Sequence, residues 1–121
     1  MAASLLVLGQ AELGTGAFGT VLYTVPTTTD SALGSGTRFQ TVVTSIVLCN
    51  RHSSANLYSI RVVPNEETAA VKHIIFNSVS LATNATDIIS LGLTVESGDK
   101  IEASASVAST LSVSVFGVET S

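Results

Sequence analysis

The sequence predicts an all-β fold: a single antiparallel β-sandwich of about eight strands, with jelly-roll or Greek-key connections. Three observations lead there. Short stretches alternate apolar and polar residues with period two, and Gly, Pro, Asn or Ser bound them. Charged residues are 12% of the 121, about half the usual share for a soluble domain. Hydrophobic residues are 45%, mean hydropathy is +0.51, and Ser and Thr supply about a quarter of the chain. An amphipathic helix needs long charged side chains on its wet face, and these are scarce here. Strands whose outer face is wetted by hydroxyls need none.

Leu5 to Leu8 reads as a first strand closed by Gly9, and Gly19 to Val25 as a second, with Val21, Tyr23 and Val25 on one face and Pro26 ending it. Residues 27–38 form a small-polar loop. Phe39 to Cys49 is the strongest strand, with Ile46, Val47 and Leu48 expected to be buried on both faces. Asn50 to Ser54 is a turn, because Asn and Ser side chains bond nearby backbone. Leu57 to Val63 alternates again until Pro64, and Glu66 to Ala70 has the composition of one helical turn. Val71 to Val79 reads as a strand with His73, Ile75 and Asn77 on one face. Asp87 to Val95 follows, then a turn at Ser97-Gly98-Asp99. Lys100 to Val107 and Leu111 to Val118 alternate most clearly, and Ala103, Ala105 and Ala108 imply closely approaching backbones. No linker or second composition regime appears, so residues 1–121 are expected to form one domain. Residues 1–10 would be an N-terminal strand or arm pairing with a neighbour.

A chain of this length buries enough surface to fold without metal or disulfide staples. Its net charge is −4, and its five basic residues, Arg38, Arg51, Arg61, Lys72 and Lys100, are scattered. Nucleic-acid binding wants a concentrated positive footprint, so no such partner is expected. No segment approaches the ~20 apolar residues of a membrane-spanning helix. The N-terminus lacks the basic region of a secretory leader. Cys49 is the sole cysteine, which suits a reducing cytoplasm.

Three motifs invite chemistry, and each has a plainer explanation. Gly14-Thr-Gly-Ala-Phe-Gly19-Thr-Val21 matches a phosphate-covering glycine pattern. The residues after it continue as strand rather than helix, and no kinase lysine, H-R-D or D-F-G accompanies it. Glycines at a strand bend fit better. Cys49-Asn-Arg-His52 has the spacing of half a zinc site, yet only His73 remains to complete it. The same three residues would be the material for Cys–His nucleophilic catalysis. Glu66-Glu67 and Glu96/Asp99/Glu102 are the acidic clusters. They read as solvated edges or as partners for Arg51 and Arg61 across subunits, Asp99 as a turn residue and Glu102 as projecting from its strand's polar face. Paired carboxylates acting on glycans would also want aromatic platforms, and the chain has no Trp. No enzyme activity, cofactor or metal is expected.

The least ordinary feature is the surface. Strand faces turned from the core would carry Val, Thr, Leu, Ala and Ser in place of the Lys and Glu that usually guard exposed sheets. Such an exterior suits burial in a homo-oligomer.

The segments Leu22-Tyr23-Thr24-Val25-Pro26, Val43 to Arg51, Val71-Lys72-His73, Leu91-Gly92-Leu93-Thr94-Val95 and Phe116-Gly117-Val118-Glu119 occur in an order and spacing similar to small virion proteins of tailed bacteriophages. The resemblance runs from about Leu22 to Glu119. Asn65-Glu66-Glu67-Thr68 departs from it, standing where relatives often have Pro-Ala-Gly-Ala. The resemblance implies a β-sandwich virion component, assembled in the host bacterial cytoplasm as a homo-oligomer on head or tail, with no catalytic residues to carry over.

The first expectation is therefore a capsid decoration or cement protein, forming a symmetric oligomer, a trimer, on the phage major capsid protein. Its contact elements would be the N-terminal strand, Leu5, Leu6, Val7 and Leu8, and the 27–38 loop and its border, Leu33 and Phe39. The alternative is a tail, baseplate or fibre-associated module binding a host surface glycan or another tail protein. That alternative predicts exposed Tyr23, Tyr58 or His52 converging on one groove.

Overall fold

Among the described residues, eight strands follow the predicted order: β1 (Ala3–Glu12), β2 (Thr20–Thr24), β3 (Gln40–Asn50), β4 (Asn56–Val63), β5 (Ile74–Leu81), β6 (Thr86–Glu96), β7 (Lys100–Ala105) and β8 (Leu111–Thr120). The structure, a computed structural model, describes residues 3–14, 18, 20–26 and 40–120, with backbone alone for 3–5. The 27–38 loop, Leu33 and Phe39 lie outside the described residues.

Four antiparallel pairs organise the chain: β1 with β8, β2 with β7, β3 with β6 and β4 with β5. Rolling this ribbon of pairs brings β3 beside β8 and β4 beside β7. Two four-stranded sheets result, ordered β1-β8-β3-β6 and β2-β7-β4-β5. This is jelly-roll order, so the structure decides between the two topologies the sequence left open.

Between the sheets lie Leu13, Leu22, Val25, Val43, Ile46, Leu48, Ile60, Ile101, Leu111, Val113 and Val115, all buried. Each fully buried aliphatic side chain contributes about 1.5–3 kcal/mol relative to exposure. Ala103 and Ala105 are buried on β7, whereas Ala108 is exposed in the following loop.

The strand boundaries depart from the sequence reading where bulges interrupt the period. On β1, Val7 faces Phe116 and Gly9 faces Val115, so Leu8 is an extra residue and the strand runs on through Gly9. Gly9 does not close the strand. It marks a close crossing, because a Cβ there would come within 2.1 Å of the Leu22 carbonyl oxygen. The first strand is also no free arm, since it pairs with β8 of its own chain. On β2 the extra residue is Leu22, so Leu22 and Tyr23 both turn inward while Val21 is exposed. Val21 therefore does not share a face with Tyr23 and Val25. On β3 the central pair Ile46 and Leu48 is buried, while Val47 between them is half-buried on the outer face.

The expected helical turn also moves. Glu66 has a positive φ of 65° and Glu67 N–H donates to the Pro64 carbonyl, a tight turn. The helical turn comes later, a single 3-10 turn at Val71–His73. It includes the start of what the periodicity assigned to strand, and His73 precedes β5 rather than sharing a face with Ile75 and Asn77.

Candidate assembly surface

The register of the first sheet aligns five rows across β1, β8, β3 and β6, in which the residues from β8, β3 and β6 and, on β1, Val7, Gln10 and Glu12 face outward. The rows are Ala3–Thr120–Gln40–Glu96, Leu5–Val118–Val42–Thr94, Val7–Phe116–Ser45–Ser90, Gln10–Ser114–Val47–Ile88 and Glu12–Ser112–Cys49–Thr86. Charge appears only in the first and last rows. Arg51, just past β3, joins the last row by bonding Glu12 Oε1 at 2.9 Å and Ser112 Oγ at 2.9 Å. The three middle rows carry hydroxyls, one amide and apolar side chains. Ile88 is 70% exposed and Val7 48% exposed. Leu6, Val7, Thr44, Phe116 and Gly117 line a shallow groove along β1 and β8. Both edges of the sheet are long, and Ser4 to Ala11 and Ile88 to Val95 contain no charge. Natural edges are usually blunted by charge or proline.

The outer face of the second sheet is different. Arg61 Nε lies 2.6 Å from Glu102 Oε1, with only 18% and 14% of the two side chains exposed. The Phe18 ring covers the guanidinium at 4.4 Å, a cation–π contact. Phe18 belongs to the glycine-rich segment. Gly14 in that segment donates its N–H to Thr20 Oγ1 and accepts from the Ala105 N–H. The described part of the motif thus fastens the β1–β2 connection to β7 and lids an ion pair. Of the two acidic clusters, Glu102 finds Arg61 within the chain, whereas Arg51 pairs with Glu12, which belongs to neither. Asp99 is the turn residue the sequence suggests, its carboxylate accepting from the N–H groups of Asn65 and Glu96.

The tyrosines are not a groove. Tyr23 is 9% and Tyr58 2% exposed. Each crosses the sandwich: Tyr23 on β2 donates to Glu119 on β8 at 2.5 Å, and Tyr58 on β4 donates to Asp87 on β6 at 2.9 Å. Tyr23 has one hydroxyl hydrogen, so Thr41 Oγ1, 2.9 Å away, is the donor in their shared bond. Burial, then the carboxylate bond, pushes the Tyr23 phenol up to about 12 and the Tyr58 phenol up as well. The converging aromatic site that a glycan-binding module would need is therefore not formed by these residues. His52 is half-buried in the β3–β4 turn, its N–H bonded to Asn50 Oδ1.

Cys49 and His73 do not converge either. Cys49 faces outward on β3 near the Leu81 end of β5, and His73 precedes the Ile74 end. His73 is buried and both its nitrogens are engaged. Nδ1 accepts from the Ala70 N–H at 3.0 Å, so Nε2 carries the hydrogen it gives to Glu67 Oε1 at 3.2 Å. That bond, ahead of the Lys72 charge, holds the Glu67 carboxyl below its ordinary value. Among the described residues, no three of His, Cys, Asp and Glu lie together as a metal cluster. No buried side-chain nitrogen or oxygen there lacks a partner.

Leu6 and Val7 lie together on the groove edge of β1, Leu8 at the bulge packs against the core, and Leu5 holds a register position in the row next to Val7. The sequence did not single out Val42, Val47, Ile88 and Phe116, which complete the face. The signal was present in Phe39 to Cys49 and Asp87 to Val95, where neither alternating face carries Lys or Arg.

No family model matches the chain, and no curated protein is similar to it. A solved structure titled "nora virus structure" is similar at 13% identity and a TM-score of 0.45, covering 98% of this chain. The chain spans 57% of the length of that neighbour.

Proposed function

We propose that this protein is a non-enzymatic virion structural protein, a capsid decoration or cement protein that works as a homo-oligomer by covering its uncharged sheet face. The observation that carries the reading is the three middle rows of the β1-β8-β3-β6 face, where hydroxyl and apolar side chains stand without a charge. Surface of that kind gains free energy when water leaves it and has few ions to desolvate. The resemblance of its strand segments to small phage virion proteins supports the same reading. The jelly roll also serves viral capsid and lectin domains, so the fold alone does not choose among them. With both tyrosines tied to carboxylates inside the sandwich, the tail-module alternative has lost the groove it relied on.

Quantitative mass spectrometry of purified virions tests this. Hundreds of copies per particle, released together with loss of capsid stability, are expected. A handful to dozens of copies assigns the chain to the tail, and absence from the particle overturns the reading.

A further inference from the structure

We infer that the β1-β8-β3-β6 face is covered by a second copy of this chain, packed face to face about a twofold axis. The inference deepens the proposed function and rests on it. Two physical arguments select this occupant.

The first is area. Strands of ten or eleven residues, four abreast, make a face about 19 Å by about 34 Å at ordinary spacings. Two such faces bury about 1,300 Å² together, within the range of about 1,200–2,000 Å² for stable association.

The second is charge. Each copy has a net charge of −4, so two copies repel wherever carboxylates meet. The middle rows are the part of the sheet where two identical surfaces meet with no like charge opposed. Ser45, Ser90, Ser114 and Thr94 both donate and accept, so a face built from them is compatible with itself.

One face packed on its own copy makes a pair, which the inference sets in place of the trimer expected from the sequence.

Sedimentation equilibrium of the full chain, wild type against Ile88→Lys and Thr94→Lys, tests it. Both substitutions sit at exposed outward positions of β6 and should leave the fold intact, checked by circular dichroism. A dimer is expected for the wild type, at least tenfold weaker in each variant. Val71→Lys, 84% exposed on the 3-10 turn away from this sheet, should dimerise as wild type does. Variants that associate as tightly as wild type overturn the choice of face and leave the homo-oligomer reading standing. A wild-type trimer overturns the twofold. A wild-type chain that is monomeric at high concentration yet present in virions overturns the second copy, with the shell as occupant. A monomer absent from virions removes the proposed function itself.

Discussion

Tyr58 on β4 donates its phenolic hydrogen to Asp87 on β6 at 2.9 Å, joining one sheet of the sandwich to the other. Tyr23 and Glu119 make the equivalent tie between β2 and β8. Removing either hydroxyl leaves a part-buried carboxylate short of a donor. Tyr58→Phe should therefore cost about 1–3 kcal/mol, read as a shift of the urea midpoint at unchanged slope.

Those ties also give stability a pH dependence at the alkaline end. Both phenols are held protonated in the fold above their ordinary value of 10.0, Tyr23 to about 12. A group whose folded value is raised contributes stability that is complete below the unfolded value and lost as pH rises toward the folded one. Unfolding free energy should then fall between pH 10 and 12, more steeply than in a chain without these two phenols. In the Tyr23→Phe/Tyr58→Phe double variant that extra fall should vanish. An equal fall in both proteins contradicts the assignment.

Asn50 ties three segments together. Its Nδ2 lies 3.0 Å from the carbonyls of Ser54 and Leu81 and 3.2 Å from that of Ala82, and its Oδ1 accepts from His52. Asn50→Asp keeps the size but turns a donor toward carbonyls into an acceptor. A loss of about 3 kcal/mol or more is expected, at least as large as for Asn50→Ala. Thermal and urea unfolding of the two variants check the order.

Glycines on the first sheet should respond oppositely to alanine. Gly9→Ala pushes a methyl into the Leu22 carbonyl, which must shift, at about 1–3 kcal/mol. Gly92 has nothing within 4 Å of an added Cβ. Gly92→Ala should be neutral or slightly stabilising, because it stiffens the unfolded chain.

The contrast at Gly9 shows what a linear sequence hides. Eight strands were legible because Phe39 to Cys49, Lys100 to Val107 and Leu111 to Val118 repeat with period two, the signature of a half-buried strand. The extra residues Leu8 and Leu22 were not, because a bulge depends on which partner strand lies alongside. One slipped residue turned Val21 outward and Leu22 inward. The uncharged exterior was visible as composition, and Leu5, Leu6, Val7 and Leu8 were chosen as contacts, although Leu8 packs against the core. Its extent over β3, β6 and β8 needed the register. Tyr23 and Tyr58 were misplaced as groove residues because their partners are distant in sequence. Val25, two residues on from Tyr23, and Ile60, two on from Tyr58, were the available hint that both rings belong inside.

Phe18 lids the Arg61–Glu102 pair, so Phe18→Ala should open it to solvent. Stability should drop by about 1–2 kcal/mol and become more dependent on salt than that of the wild type, as tested by denaturant melts at low and high ionic strength.

The central claim is that the protein acts by having its uncharged face covered, and Cys49, half-buried on that face beside Ser112 and Thr86, is a built-in reporter. The direct measurement is the rate at which a thiol reagent modifies Cys49 in dilute protein, in concentrated protein and in intact virions. The account predicts that the rate falls at least severalfold as the face becomes covered, and recovers on dilution. The same rate under all three conditions would contradict it.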